Sequence, residues 1–297
     1  MSILKPISKT VCAVCLSLLA TLAPGLGKPP DSGYLSQFSL GMVASAKESR
    51  VAINAKAAIV MDGHSNQIIY GKNVDLPLYP ASTTKLMTAI LLVTHLDPGH
   101  PVYISQAAAR QARVRLGLPA NTEITAEDAL HAVLMKSAND VAYAVAETVG
   151  GSQAGFARMM NLKAGLLGCT HTHFVTPNGL HDDNHQTTAR DVAIILAEAI
   201  RYPRIVAAMQ TQQYTVAGHI IRNGNRLIYM RQTGFGTVIG GKTGYTSKAM
   251  YCLAMAVKQG TDVRISVVLG APRRSAMYRE TTRLLNYSQR HVDIQLR

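Results

Sequence analysis

The order of apolar segments along this chain of 297 residues restricts the folds that it can adopt. Two short apolar runs, over residues 57–61 and 67–70, flank a turn-forming stretch and predict a β-hairpin. Helical patterns follow, and then come strand-like runs near residues 213–216, 238–241, 251–257 and 263–269 and a last helix over 275–287. Because the first and last strands can share one sheet, we expect an α/β fold: a mainly antiparallel sheet flanked by helices, with an all-helical subdomain inserted.

Capping residues indicate where the helices of the inserted region begin. Thr125 with Asp128, and Thr188 with Asp191, have the spacing at which a hydroxyl caps the first turn of a helix. Arg190, next to the second cap, is expected to form a structural ion pair or to bind a carbonyl group. The expected helices cover residues 125–134, 140–148, 152–167 and 188–201.

The beginning of the chain has the composition of an export signal. Lys5 and Lys9 precede an apolar run over residues 11–23 that is too short for an ordinary membrane span. We therefore expect a signal peptide over 1–27, a partly disordered linker over 28–50 and one folded domain over 51–297. The cleavage point stays open between residues 25–27 and 44–46, and an uncleaved anchor helix is the alternative.

Charge and cysteine content limit the classes of partner. A formal net charge of +13 favours anionic surroundings such as nucleic acid, anionic lipid or an anionic wall polymer. The basic residues are scattered and no nucleic-acid-binding module is present, so nucleic acid is not an expected partner. Cys169 and Cys252, which remain after removal of the signal, are expected to be buried free thiols. The spacing of cysteine and histidine does not fit a zinc site.

Three short motifs supply the residue types of nucleophilic catalysis. Ser82-Thr83-Thr84-Lys85 places a hydroxyl and an amine one helical turn apart on the same face. Serine needs a base within reach, and lysine can be that base if burial or positive charge makes its proton easier to lose. Ser137-Ala138-Asn139 and Lys242-Thr243-Gly244 follow in that order. Each motif alone could be a helix cap or a turn, but the ordered triplet favours a single catalytic site.

These motifs and the residues around them resemble one family. The triplet S-x-x-K, S-x-N and K-T-G occurs in penicillin-binding proteins and class A β-lactamases. The chain is most similar to the low-molecular-mass penicillin-binding proteins, the serine D-alanyl-D-alanine carboxypeptidases of peptidoglycan, over about residues 57–287. Further stretches that carry this resemblance are residues 79–88, 172–174, 178–180, 188–191 and 241–246. It implies a β-lactamase/transpeptidase-like fold, peptidoglycan stem peptides as substrates, covalent inhibition by β-lactams, and no metal or organic cofactor.

The resemblance also implies a role for each motif residue. Ser82 would attack the carbonyl of the penultimate residue, Lys85 would accept the hydroxyl proton, and Ser137 would relay a proton to the leaving D-alanine. The backbone N–H groups of Ser82 and Tyr245 would form the oxyanion hole. The expected substrate-binding residues are Asn139, Lys242, Thr243, Gly244 and Tyr245. The implied location is exported, in a periplasm or an extracellular cell envelope.

Three alternative functions share parts of this pattern. A DD-endopeptidase acting on cross-links uses the same acyl-enzyme, although Asp140 after the second motif fits that branch less well. A serine β-lactamase of class A would need a glutamate for deacylation, whereas Glu147 and Glu198 fall inside predicted helices. A non-catalytic wall-binding or sensor protein would not need the intact nucleophile. Because little sequence follows Tyr287, membrane contact is expected only through the N-terminal segment, if it is uncleaved.

Overall fold

A computed structural model describes residues 51–230 and 232–295, with the backbone alone for 232, 233 and 291–295. The predicted signal peptide and linker lie outside the described residues. The strands are β1 (Ala57–Asp62), β2 (Ile68–Lys72), β3 (Pro101–Ile104), β4 (Thr122–Thr125), β5 (Gln213–Val216), β6 (His219–Arg222), β7 (Gln232–Thr233), β8 (Gly236–Thr246), β9 (Met250–Gln259) and β10 (Asp262–Ala271). The helices are α1 (Lys85–His95), α2 (Gln106–Ala109), α3 (Ala126–His131), α4 (Asn139–Gly150), α5 (Gln153–Leu166), α6 (Ala189–Ala199), α7 (Pro203–Gln210) and α8 (Arg274–Gln295).

One antiparallel sheet joins the two ends of the described chain, as the order of apolar runs predicted. Its strand order is β2-β1-β10-β9-β8-β7. Strand β1 pairs with β10, so that Ala57 lies opposite Leu269 and Asp62 lies opposite Arg264. The helices α1–α7 come between β2 and β7 in sequence, and this confirms that a helical region is inserted. The region is not all-helical as predicted, because the short strands β3–β6 also lie in it and form two small sheets.

Apolar side chains on both faces of the sheet hold the layers together. Ile59 and Met61 of β1 belong to a large core shared with the inserted helices, whereas Ala58 and Val60 belong to a second core beneath α8. This split follows from the alternation of side chains along a strand. Helices α6 and α8 therefore cover opposite faces of the central strands, and the sheet is buried between them.

Helix α1 forms the centre of the inserted region and begins at the lysine of the S-x-x-K motif. Every residue from Lys85 to Leu92 is buried. The helix packs against α3, α4, α5, α6 and α7, which explains why its sequence is apolar nearly all round. Within the described part of the chain, no helix is long and apolar enough to cross a lipid bilayer.

The predicted caps are correct, but one helix ends differently from the prediction. The hydroxyl groups of Thr125 and Thr188 accept hydrogen bonds from the N–H groups of Asp128 and Asp191. The α-helix that begins after Thr125 ends at His131, and a π-helical turn over Ala132–Lys136 follows it. This wider turn delivers the chain to the S-x-N motif, where an ordinary helix to residue 134 was expected.

Several elements were not predicted or differ in length. Strand β8 is longer than the predicted 238–241, so the K-T-G motif lies inside a strand. Its glycines have low strand propensity, and this hid its extent. Helix α7, the small sheet β3–β4 and strand β6 were also missed, whereas β5 lies at the strand predicted near residues 213–216. In β3 the residues alternate between exposed and buried, the pattern of a strand with one buried face.

Other predictions about side chains are confirmed. Arg190 donates two hydrogen bonds to the carboxylate of Asp75, at 2.6 and 2.8 Å. Cys169 and Cys252 are buried free thiols. Burial raises the pKa of Cys169 to about 12 and that of Cys252 to about 11, so both stay protonated at neutral pH.

Candidate active site

The candidate nucleophile lies in a tight turn at the entrance of α1. Ser82 belongs to a 3₁₀ turn over Ala81–Thr84 and is half-buried. Lys85 follows as the first residue of α1, and its Nζ lies 3.0 Å from Ser82 Oγ. The one-turn spacing of the S-x-x-K motif thus places hydroxyl and amine in contact, as predicted.

The Lys85 amine is enclosed by oxygen atoms. Its side chain has no exposed surface, and its Nζ donates hydrogen bonds to Asn139 Oδ1 at 2.7 Å and to the Asn178 carbonyl at 2.6 Å. Ser82 Oγ is the third neighbour. A neutral amine has two N–H groups and one lone pair, so two acceptors and one hydroxyl match it.

Burial makes the neutral form of Lys85 accessible. Loss of hydration lowers the pKa of Lys85 well below its ordinary value, and the charge of Lys242 lowers it further. The carboxylate of Asp140 opposes this effect. The net direction favours an amine that can accept a proton from Ser82.

Strand β8 carries a second buried amine. Lys242 is 1% exposed, and its Nζ donates to the Thr243 carbonyl at 2.9 Å. Burial lowers the pKa of Lys242 to about 7. The amine is therefore near the midpoint of its titration at neutral pH, and an anion bound beside it would favour the charged form.

The S-x-N motif connects the π-helical turn to α4. Ser137 has a left-handed backbone conformation, with φ of 64°. The Asn139 N–H donates to the Val114 carbonyl at 2.7 Å, and its side-chain Nδ2 donates to the Ala112 carbonyl at 2.9 Å. Asp140 accepts hydrogen bonds from two further backbone N–H groups of the same loop. The loop over residues 112–117 thus fixes the position of Asn139 and Asp140 by hydrogen bonds.

A glycine lets β8 approach the nucleophile turn closely. A Cβ atom on Gly244 would lie 2.9 Å from Ser82 N and 3.1 Å from the Ala81 Cβ. Any larger residue would displace the turn, because real Cβ atoms do not come this close to backbone. Next to it, Tyr245 is 58% exposed, and its ring lies 4.5 Å from that of Tyr251.

The loop that contains Asn178, Gly179 and His185 encloses Lys85 and the nucleophile turn, although none of the three was predicted as a site residue. The Asn178 carbonyl accepts from Lys85, and a Cβ on Gly179 would lie only 1.9 Å from the Ala81 carbonyl oxygen. His185, from the end of the same loop, hydrogen-bonds to Thr84. Backbone carbonyls leave no side-chain signal, so only the turn-forming Asn178-Gly179 pair could have indicated this contact.

Together these contacts assemble most of the predicted site. Ser82, Lys85 and Asn139 are joined by hydrogen bonds, Gly244 abuts the turn, and Lys242 affects Lys85 through its charge. The predicted residues Ser137, Thr243 and Tyr245 lie at the left-handed corner before α4 and on β8. A nucleophile in contact with a base, with a cation nearby, suits acyl transfer to an anionic substrate.

Known proteins that are similar to this chain bear the names of D-alanyl-D-alanine peptidases. Residues 42–273 match the family described as D-alanyl-D-alanine carboxypeptidase. The chain is 33% identical over 252 residues to the D-alanyl-D-alanine carboxypeptidase DacF of Bacillus subtilis, covering 82% of this chain and 64% of the relative. A D-alanyl-D-alanine endopeptidase of Pseudomonas aeruginosa is 31% identical over 91% of this chain and 84% of its own length.

Solved structures share the fold. Penicillin binding protein 5 from Haemophilus influenzae superposes with a TM-score of 0.74 at 32% sequence identity, covering 80% of this chain and 71% of that chain. These neighbours confirm the predicted β-lactamase/transpeptidase-like fold. The chain spans 64% of the length of DacF and 62% of the D-alanyl-D-alanine carboxypeptidase DacA of Haemophilus influenzae.

Replacement of Lys242 by methionine should stabilise the protein near neutral pH. An unfolded lysine titrates near 10.4, whereas burial lowers the pKa of Lys242 to about 7. Between these values the unfolded chain binds more protons, so stability falls as the pH drops from about 10.4 to 7. We expect Lys242→Met to raise the free energy of unfolding at pH 7 by on the order of 3 kcal/mol, and by much less at pH 10.

Urea denaturation at the two pH values measures this difference. Lys248→Met, which alters an exposed lysine beyond the end of β8, is the matched control and should change little at either pH. Equal stability of Lys242→Met and the wild type at pH 7 would show that the buried amine is not destabilising.

Proposed function

Because the chain belongs to the D-alanyl-D-alanine carboxypeptidase family, we propose that it removes the terminal D-alanine from peptidoglycan stem peptides through a seryl acyl-enzyme. The observation that carries this proposal is the 3.0 Å contact between Ser82 Oγ and the buried Nζ of Lys85. A serine hydroxyl in contact with a lysine amine that has no solvent exposure favours an activated serine nucleophile over a structural hydrogen bond.

Acylation begins at Ser82. Its Oγ forms a bond to the carbonyl carbon of the penultimate D-alanine while its proton passes to Lys85 Nζ. The negative charge that develops on the carbonyl oxygen is stabilised by the backbone N–H groups of Ser82 and Tyr245. The C–N bond then breaks, and Ser137 relays the proton to the nitrogen of the departing D-alanine. Water later hydrolyses the ester and returns Ser82 to its hydroxyl form.

Strand β8 binds the carboxylate end of the substrate. Lys242 and Thr243 hold the terminal carboxylate by charge-assisted hydrogen bonds. The bound anion keeps Lys242 protonated, since a nearby negative charge raises the pKa of an amine. That positive charge in turn keeps Lys85 neutral, so substrate binding and activation of the base support each other.

The side-chain amide of Asn139 has two tasks, one towards Lys85 and one towards the substrate. Its Oδ1 accepts from Lys85 and one N–H of its amide donates to the Ala112 carbonyl. An amide nitrogen has two N–H groups, so one remains for a carbonyl of the substrate peptide. Asn139 therefore orients the base as well as the substrate.

The structure supports this proposal over a class A β-lactamase. The two glutamates between the second and third motifs are engaged elsewhere. Glu147 accepts a hydrogen bond from Ser105 at 2.7 Å, and Glu198 forms an ion pair with Lys163 at 2.7 Å. Both carboxylates are thus bound to other side chains, whereas a class A enzyme uses a glutamate to activate the deacylating water. A β-lactam should therefore form a long-lived ester with Ser82 and act as an inhibitor.

Cleavage of cross-links is the second candidate. A relative of similar length bears the name D-alanyl-D-alanine endopeptidase, and both reactions proceed through the same acyl-enzyme. Hydrolysis of pentapeptide monomers and of cross-linked dimers by purified protein, compared as kcat/KM, distinguishes the two activities. Either substrate requires export, so we propose that the protein acts in a periplasm or an extracellular cell envelope.

Replacement of Ser82 by alanine should abolish both D-alanine release and covalent labelling by a fluorescent penicillin. The reason is that no other hydroxyl in the site contacts the amine of Lys85 among the described residues. Labelling is followed by gel fluorescence and release by a D-amino-acid assay. Ser247→Ala, an exposed serine beyond the end of β8, should retain both activities. Persistent labelling of Ser82→Ala would remove Ser82 as the nucleophile.

Replacement of Lys242 by alanine should remove the preference for a free terminal carboxylate. We expect wild-type protein to favour a peptide with a free carboxylate over the same peptide ending in an amide. Loss of one charge-assisted hydrogen bond should lower kcat/KM for the carboxylate peptide by roughly 10- to 100-fold. The amide peptide should change less, so the ratio of the two kcat/KM values is the decisive readout. An unchanged ratio would remove carboxylate binding from the role of Lys242.

A further inference from the structure

A buried histidine contacts the nucleophile turn through Thr84. His185 is 1% exposed, and its Nε2 lies 2.9 Å from Thr84 Oγ1. Its Nδ1 accepts hydrogen bonds from the backbone N–H groups of Val175, at 2.9 Å, and Thr176, at 3.1 Å. Both ring nitrogens are therefore used, although the mechanism proposed above assigns no task to this side chain.

These contacts determine the proton position on the ring. A nitrogen that accepts from two N–H groups cannot itself carry a proton, so the proton is on Nε2. Nε2 must then donate to Thr84 Oγ1. Burial supports the neutral ring, because it lowers the pKa of His185 to about 4 in spite of the opposing charge of Asp182.

The hydrogen bond from His185 sets the direction of the Thr84 hydroxyl. A hydroxyl has one proton, and Thr84 Oγ1 lies 2.8 Å from the Ala81 carbonyl oxygen, to which it donates. Because Thr84 accepts from the imidazole, its own proton must point towards Ala81. The result is a directed chain of two hydrogen bonds from His185 through Thr84 to Ala81.

The end of this chain belongs to the same peptide unit as the nucleophile N–H. The Ala81 carbonyl and the Ser82 N–H point in opposite directions in a planar trans peptide. A carbonyl anchored on the His185 side therefore directs the Ser82 N–H towards β8. There, Ser82 N lies 2.9 Å from the position of a Cβ on Gly244, which places the N–H next to the strand that would bind substrate.

This peptide unit needs external support. Ala81 has φ of 48°, a conformation that costs free energy for a residue with a side chain. Gly179 packs closely against the same carbonyl: a Cβ atom at this position, which glycine lacks, would lie 1.9 Å from the Ala81 oxygen. The turn is thus held in a strained orientation from behind, as expected where a backbone donor must be preorganised.

We propose that His185 is a positioning residue for the oxyanion hole, which acts through Thr84 to hold the Ala81–Ser82 peptide with the Ser82 N–H directed at the developing oxyanion. This inference rests on the proposed function, because it explains how one of the two proposed oxyanion-hole donors, the Ser82 N–H, is oriented. The proposed role of His185 does not require contact between its side chain and the substrate. Its effect belongs to the acylation step and not to the binding that precedes it.

Stopped-flow acylation by a fluorescent penicillin separates the two steps, since it gives the dissociation constant of the first complex and the rate constant of acylation. Thr84→Val removes the hydroxyl at nearly constant volume. We expect it to lower the acylation rate constant by roughly 10- to 100-fold, less than the full loss of an oxyanion donor, with the dissociation constant within about threefold of wild type. Thr84→Ser, which keeps the hydroxyl, should restore the rate.

A double-mutant cycle tests whether His185 acts through Thr84. His185→Leu should lower the acylation rate constant as Thr84→Val does, and the double variant should be no slower than the slower single variant. His185→Gln retains a donor at the Nε2 position and should recover part of the rate. If His185→Leu does not fold, Thr84→Val and His185→Gln carry the test.

The outcomes separate this inference from the proposed function. An acylation rate constant within about twofold of wild type in folded Thr84→Val would overturn the inference while leaving the function intact. The same holds if the whole effect falls on the dissociation constant, or if the losses in the double variant multiply. Failure of the wild-type protein to react with penicillin would instead contradict the proposed function.

Discussion

Burial of the Lys85 amine is the constraint on which the candidate site depends. A lysine with no exposed surface is costly unless its polar group is satisfied, and here the neutral form meets that need. Its three oxygen neighbours come from three separate places in the chain: the turn at Ser82, the start of α4 at Asn139, and the loop at Asn178. The amine of Lys85 thus has all three neighbours only when the inserted helices, the nucleophile turn and that loop are assembled together.

The sheet contributes the second buried amine and the close backbone approach to the nucleophile turn, both from strand β8. Strand β8 places the second amine, Lys242, close enough to act on Lys85 by its charge, and Gly244 lets the strand backbone reach the nucleophile turn. Two buried amines cannot both carry a charge without repulsion, so the arrangement lowers the stability of the folded protein and at the same time favours the neutral form of Lys85, which can accept a proton. Pairing with β9 holds β8 in the sheet, and β9 in turn pairs with β10, which connects β8 to β1 at the start of the described chain.

Side-chain motifs and apolar patterns predicted much of this structure. Ser82, Lys85 and Asn139 could be placed together because their chemistry is carried by side chains at diagnostic spacing. The paired caps at Thr125 and Thr188 were visible for the same reason. Contacts made by the backbone were not predictable: the Asn178 carbonyl and the strained Ala81–Ser82 peptide depend on chain conformation. The length of β8 was hidden by its glycines, which are there to permit close approach and not to favour a strand.

The titration of Lys85 tests the central claim most directly. NMR of protein labelled with ¹³C and ¹⁵N in its lysine side chains, with the Lys85 resonance assigned by Lys85→Met, follows this amine across the pH range. We expect the pKa of Lys85 to lie well below the ordinary lysine value, because its amine is buried and lies near Lys242. A Lys85 that stays protonated up to about pH 10 in the folded protein would contradict its role as the base.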